Sequence, residues 1–148
     1  MFDAASSSDL INDPRPLQDG PSWNLSDKDL QRAEGSGRMV VSGSEKGTRI
    51  VDVFERSPIR IMFPRDIRGA VEEAVLVDTA GGIAGGDRRE IAVTALANAS
   101  IVVTSQAAEK VYRALNEPAR VTTTLKAFEV AKLAWLPQET IVFNCARI

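Results

Sequence analysis

The chain has 148 residues, 18 Lys+Arg against 20 Asp+Glu, no His, one Cys and 44% hydrophobic residues. That is enough for one domain with a real core and too little for two independent ones. A formal net charge of −2 with both signs interspersed argues against an electrostatic nucleic-acid binder, and the lack of histidine excludes Ser-His-Asp and Cys-His relays and His-bearing zinc or nickel sites.

The N-terminus has neither the basic start nor the apolar run of a signal peptide, and no stretch nears the ~20 apolar residues of a membrane span. A soluble, cytoplasmic protein is expected, with no membrane or nucleic-acid partner. The lone Cys145 cannot form an intrachain disulfide. Residues 1–36 read as a polar, disordered tail, because Ser6 to Ser8, Pro14, Pro16 and Gly20-Pro21 interrupt any periodic apolar face. Trp23 and Leu25 offer local docking within it, and a short capped helix over residues 26–31 is the alternative there.

From Gly37 the texture changes to short β-type segments. Residues 38–41 and 48–54 flank Gly43-Ser44-Glu45-Lys46-Gly47, a hairpin-like connection. After Pro58, Ile59, Ile61 and Phe63 point one way while Arg60 and Met62 point the other, until Pro64 ends the segment. Ala74-Val75-Leu76-Val77 is a continuous apolar run, consistent with a strand buried on both faces. Residues 90–96 alternate again, with Ile91, Val93 and Ala95 opposite Ala92 and Thr94; Asn98 makes a turn, and residues 101–103 add a β-branched segment. Residues 105–115 break the rhythm. They are rich in helix formers, with Ala108, Val111 and Leu115 at helical spacing and Ser105 as a cap, which predicts one short helix. Residues 121–125, 133–136 and 140–143 complete the strands. The expected fold class is mainly β, layered or sandwich-like, with antiparallel and mixed sheets and that single helix.

Asp78-Thr79-Ala80-Gly81-Gly82-Ile83-Ala84-Gly85-Gly86-Asp87 is the most conspicuous local feature. The pairs Gly81-Gly82 and Gly85-Gly86 free the backbone to approach another surface, as in phosphate-cradling loops. Nucleotide-binding motifs, however, need a helix directly after the glycines, and here a strand follows. A tight strand-to-strand connection is the economical reading, and an anion- or nucleotide-binding β domain the alternative. Asp78 and Asp87 flank the loop and Glu90 lies just beyond, so carboxylates can converge on a hard cation. Against this, Asp87 suits the role of accepting turn amides. Glu109 and Lys110 read as a solvated pair, Cys145 as a small buried hydrophobe, and Trp135 as core or interface. No residue emerges as catalytic.

Three stretches together are more specific than any glycine loop. Residues 74–87, then Thr104-Ser105-Gln106-Ala107-Ala108-Glu109-Lys110-Val111-Tyr112, then Trp135-Leu136-Pro137-Gln138-Glu139-Thr140-Ile141 resemble, in order and spacing, the urease accessory family UreD, also called UreH. The likeness runs over residues 37–148 and includes Pro58-Ile59-Arg60-Ile61-Met62-Phe63-Pro64. The resemblance implies a mostly β, non-catalytic nickel metallochaperone component. It would bind UreF and through it the GTPase UreG, within an accessory complex that can itself be a homodimer, and dock on the urease apoprotein. No tightly bound cofactor is implied; nickel would pass transiently. Asp78, Asp87, Glu90, Glu109 and Glu139 are the carboxylates within or beside the matched motifs, and so the weak metal-contact candidates. Two departures stand out: Asp78 occupies a position where the family usually has Asn, and family members continue into further strands beyond Ile148. The chain is therefore expected to be the N-terminal part of a larger β domain, truncated so that an apolar strand leaves an open sheet edge. A fragment without independent function is a further alternative.

Overall fold

Alternating apolar and polar residues build ten strands among the residues that the computed structural model describes, 32–64 and 72–148. They are β1 (Glu34–Ser44), β2 (Gly47–Arg56), β3 (Ile59–Met62), β4 (Glu72–Asp78), β5 (Arg88–Ala95), β6 (Ser100–Ser105), β7 (Glu109–Val111), β8 (Arg120–Ala127), β9 (Lys132–Leu136) and β10 (Thr140–Val142). One four-stranded sheet has the order β2-β1-β5-β8, a second the order β3-β4-β6-β9, and β7 pairs with β10 in a third.

The two larger sheets share one plan. Each has an antiparallel pair at one edge, β2 with β1 and β3 with β4, followed by parallel strands. The β1–β2 hairpin turns where Gly43 to Gly47 predicted, Ser44 pairing with Gly47 at φ +113°. From β4 onward the chain winds through the sheets in rotation: second, first, second, third, first, second, third. Parallel neighbours need a long crossover, and here another sheet's strand supplies it instead of a helix. The result is a three-sided coil. Its successive turns sit in register, Glu72 against Ile101, Arg88 against Arg120, Ser100 against Lys132 and Thr140 against Glu109.

Inward-pointing residues of both large sheets, with Ala99 from the turn before β6, form one cluster: Met39, Val41, Ile59, Ile61, Ala74, Leu76, Ile91, Val93, Ala95, Ala99, Ile101 and Val103. Phe63, Leu133 and Trp135 pack against it partly buried, so Trp135 is core-associated. Gly37 allows the sheets this approach, since a Cβ there would lie 2.9 Å from Ile59.

Several expectations are corrected. The predicted helix over residues 105–115 is absent, and no helix occurs among the described residues; β7 and loops take its place. An isolated helix of that length is marginal in water. The extended form gains a parallel ladder with β10 and a bridge from Val111 to Ile83. β4 buries only Ala74 and Leu76 fully, while Val75 and Val77 are half-buried, so it is not covered on both faces. Cys145 is exposed rather than buried, on a turn residue at φ +60°. β1 begins at Glu34, three residues before the change of texture at Gly37. The expected helix over residues 26–31 and the docking of Trp23 and Leu25 lie outside the described residues.

Candidate functional site

The three motif stretches, far apart in sequence, stack on successive turns of the coil. Ile83 N donates to Lys110 O at 2.7 Å, and Tyr112 N donates to Ile83 O at 2.8 Å. Glu109 N donates to Glu139 O at 2.9 Å, and Gln138 N donates to Ser105 Oγ at 2.9 Å. Between them lies a cavity of about 450 Å³. Its wall includes Asp78, Gly81 and Gly82 from the first stretch, Gln106 and Glu109 from the second, and Trp135, Pro137 and Thr140 from the third.

The glycine loop is a strand connection that spends several of its amides on internal bonds. Ala80 N donates to Asp78 Oδ1 at 2.8 Å, Ala84 N to Asp87 Oδ2 at 3.0 Å, and Gly86 N to Pro118 O at 3.2 Å. A phosphate cradle needs such donors free and converging, and β5, not a helix, follows the loop. Positive φ at Gly81 (+77°), Gly82 (+148°) and Gly86 (+83°) explains the glycines conformationally. Gly82 and Gly85 also permit close approach, since an added Cβ would lie 2.4 Å from the Tyr112 ring and 2.6 Å from Glu117 O respectively.

Arg89 organises the charges. Its side chain is 2% exposed, and its Nε donates to Asp78 Oδ2 at 2.7 Å. Nη1 donates to Ala33 O at 2.8 Å and Arg88 O at 3.1 Å, while Nη2 lies 3.6 Å from Asp87 Oδ2 without a hydrogen bond. Asp87 accepts the amides of Ala33 at 2.9 Å and Ala84 at 3.0 Å, the turn role foreseen for it. Sequence reasoning missed Arg89. The signal was present, because extending the inward series Ala95, Val93, Ile91 back by two places an arginine on the apolar face, and a charge there requires buried partners.

Glu109 is half-buried on the cavity wall rather than solvated, while its neighbour Lys110 is exposed. Burial raises the Glu109 carboxyl above its ordinary range, and the Asp78 charge raises it further. Arg89 and a hydrogen bond with the Thr140 side chain act in the opposite sense. Of the five carboxylates singled out, Asp78 and Glu109 therefore meet at the cavity and Asp87 sits behind Arg89. Glu90 faces outward on β5, and Glu139 is exposed, contributing its backbone carbonyl to β7. Among the described residues, no group of three or more His, Cys, Asp or Glu is placed to hold a metal ion. No helix among them is long and apolar enough to cross a membrane.

A family model described as UreD urease accessory protein matches residues 33–148. The chain is 43% identical over 119 residues to the urease accessory protein UreD of Chelativorans sp. (strain BNC1), an alignment covering 80% of this chain and 43% of the relative. It is 42% identical over 121 residues to urease accessory protein UreD 1 of Brucella ovis, covering 82% and 43%. To the urease accessory protein UreD of Agrobacterium fabrum it is 44% identical over 118 residues, covering 80% and 41%. The chain thus spans less than half the length of these curated relatives.

Proposed function

The chain belongs to the UreD urease accessory protein family, and from that premise we propose that it is a non-catalytic adaptor in urease maturation. In this reading it works in the cytoplasm as one component of the assembly that delivers nickel to the urease apoprotein. Its partners are UreF, through UreF the GTPase UreG, and the apoprotein itself. Nickel is the cargo of that assembly, handed on transiently and not kept as a resident cofactor.

The observation that carries the reading is the family match over residues 33–148, whose three motif stretches meet around one cavity. Parallel ladders hold those stretches at fixed spacing, which suits a rigid scaffold presenting surfaces to other proteins.

The test places the tagged chain in a urease operon from which the resident UreD gene has been deleted. Co-purification with UreF and urease apoprotein is expected, with nickel-dependent urease activity above the deletion background. A chain that unfolds cooperatively when purified, yet captures neither protein and restores no activity, overturns the reading.

A further inference from the structure

The outer faces of the two large sheets are built differently. On the first, alternation turns Arg88, Glu90 and Thr94 of β5 outward, in register with Arg120, Thr122 and Lys126 of β8. Ion pairs cross that face, Arg38 with Asp52 at 3.2 Å and Arg56 with Glu34 at 3.4 Å. On the second, the core takes Ile61, Ala74, Leu76, Ile101 and Val103, which turns Met62, Val75, Val77 and Val102 outward. Met62 is 58% exposed and the three valines are half-buried. Met62 stands in register with Val75, and Val102 with Glu73, so these side chains form one patch. A contiguous apolar patch rimmed by polar residues marks an interaction site.

The patch does not arise from the last turn of the coil. β4 and β6 each have a hydrogen-bonded strand on both sides, and a further turn would add to the edge of β9 without touching the outward side chains of β4. Parallel strands are ordinarily covered on both faces, and the apolar runs Ala74-Val75-Leu76-Val77 and Ile101-Val102-Val103 suit such cover. No strand can be inserted between β4 and β6, so the occupant meets side chains alone, as a helix or a second sheet does. No helix occurs among the described residues to fill that role. Charge chooses between the two. Glu73, exposed beside Val102, has no ionic partner among the described residues. Arg60 at the border is engaged by Glu55 at 3.2 Å, and Lys132 stands two strands from Glu73, on β9. A second copy would bring another unpaired Glu73 into the contact, whereas a helix can carry Lys or Arg beside an apolar stripe.

We propose that the outer face of the second sheet docks an amphipathic helix of a partner protein, its apolar stripe on Met62, Val75 and Val102 and its basic flank at Glu73. The inference rests on the adaptor reading, which requires surfaces for other proteins, and says where one of them sits. Val102→Lys should weaken capture of that partner by about tenfold or more, the loss expected when a charge enters the centre of an interface. Glu73→Lys should weaken it less, and more at low than at high salt, because a border charge acts through a screened field.

Maleimide labelling of the full chain tests this, in a Cys145→Ser background that removes the exposed native thiol. Met62→Cys is expected to react in the free chain and to be shielded in chain captured with UreF or the urease apoprotein. Glu90→Cys, on the outer face of the first sheet, should react equally in both. Capture with Met62→Cys still reactive overturns the inference alone, and capture of neither protein overturns the adaptor reading with it. Shielding that grows with the concentration of the isolated chain assigns the face to a second copy and overturns the helix. So does shielding at the aligned position of the longer UreD of Chelativorans sp. with no partner present, which would mean that the rest of that chain covers the face. Should Val102→Lys fail to fold, the labelling still decides the matter.

Discussion

Arg89 is the residue on which the charge arrangement turns. It is buried between Asp78 and Asp87 and bonded to two backbone carbonyls. Removing one member of a buried ion pair costs more than the pair contributes, because the remaining charge is stranded. Arg89→Met is expected to destabilise the fold by about 3–5 kcal/mol. Arg89→Lys should recover only part of this, since an ammonium cannot reproduce the fork that serves Asp78 and Ala33 together; urea denaturation of the two variants measures both. Glu109 carries the opposite sign of effect. Burial, then the Asp78 charge, raises its pKa, so the folded chain keeps that proton to higher pH than the unfolded chain. The resulting penalty is absent below the ordinary carboxylate range and complete once pH exceeds the raised value. Glu109→Gln should therefore gain stability relative to the parent as pH climbs from about 4 to about 7. Unfolding midpoints at both ends of that range check the sign, and a difference that shrinks with rising pH contradicts it.

Among the elements, the glycine loop is decided by conformation and contact. Gly81 and Gly82 both have positive φ, but a Cβ on Gly81 meets nothing within 4 Å whereas one on Gly82 meets the Tyr112 ring and Lys110 O. Gly81→Ala should cost about 1 kcal/mol for left-handed backbone alone. Gly82→Ala should cost about 1–3 kcal/mol more, for displacing Tyr112 from its stack on Phe143. Thermal unfolding of the two variants separates the contributions, and equal losses would show that the Tyr112 contact carries no weight. Residues 105–115 teach the converse. Their helix-forming composition is genuine, but Ser105 was not a helix cap: its hydroxyl accepts from Gln138 N at 2.9 Å, on the next turn of the coil. Local propensity of a few tenths of a kcal/mol per residue yields to such partners.

For the whole molecule, the coil makes stability depend on position along the stack. Ile101, 1% exposed, lies on the middle turn in register with Leu133, half-buried on the last. Ile101→Ala should cost about 2–5 kcal/mol and Leu133→Ala distinctly less, because Leu133 is only half-buried and loses less buried surface. Denaturant midpoints at unchanged m-value test this, and comparable losses would mean that the last turn is covered as fully as the middle one.

Strand identity was legible because period-two alternation at Ile59, Ile61 and Phe63, or at Ile91, Val93 and Ala95, is a local consequence of pleated geometry. The family resemblance was legible too, since ordered motifs survive in linear sequence. The partner of each strand was not. Parallel pairing joins residues a full turn of coil apart, as Arg88 with Arg120, and no local residue pattern encodes that choice. The site divides the same way: sequence alone named Asp78, Asp87 and Glu109, but only tertiary packing placed two of them on one cavity wall and bound Arg89 between two carboxylates. Low-dielectric surroundings and a distant charge set the behaviour of Glu109, and neither exists until the turns stack.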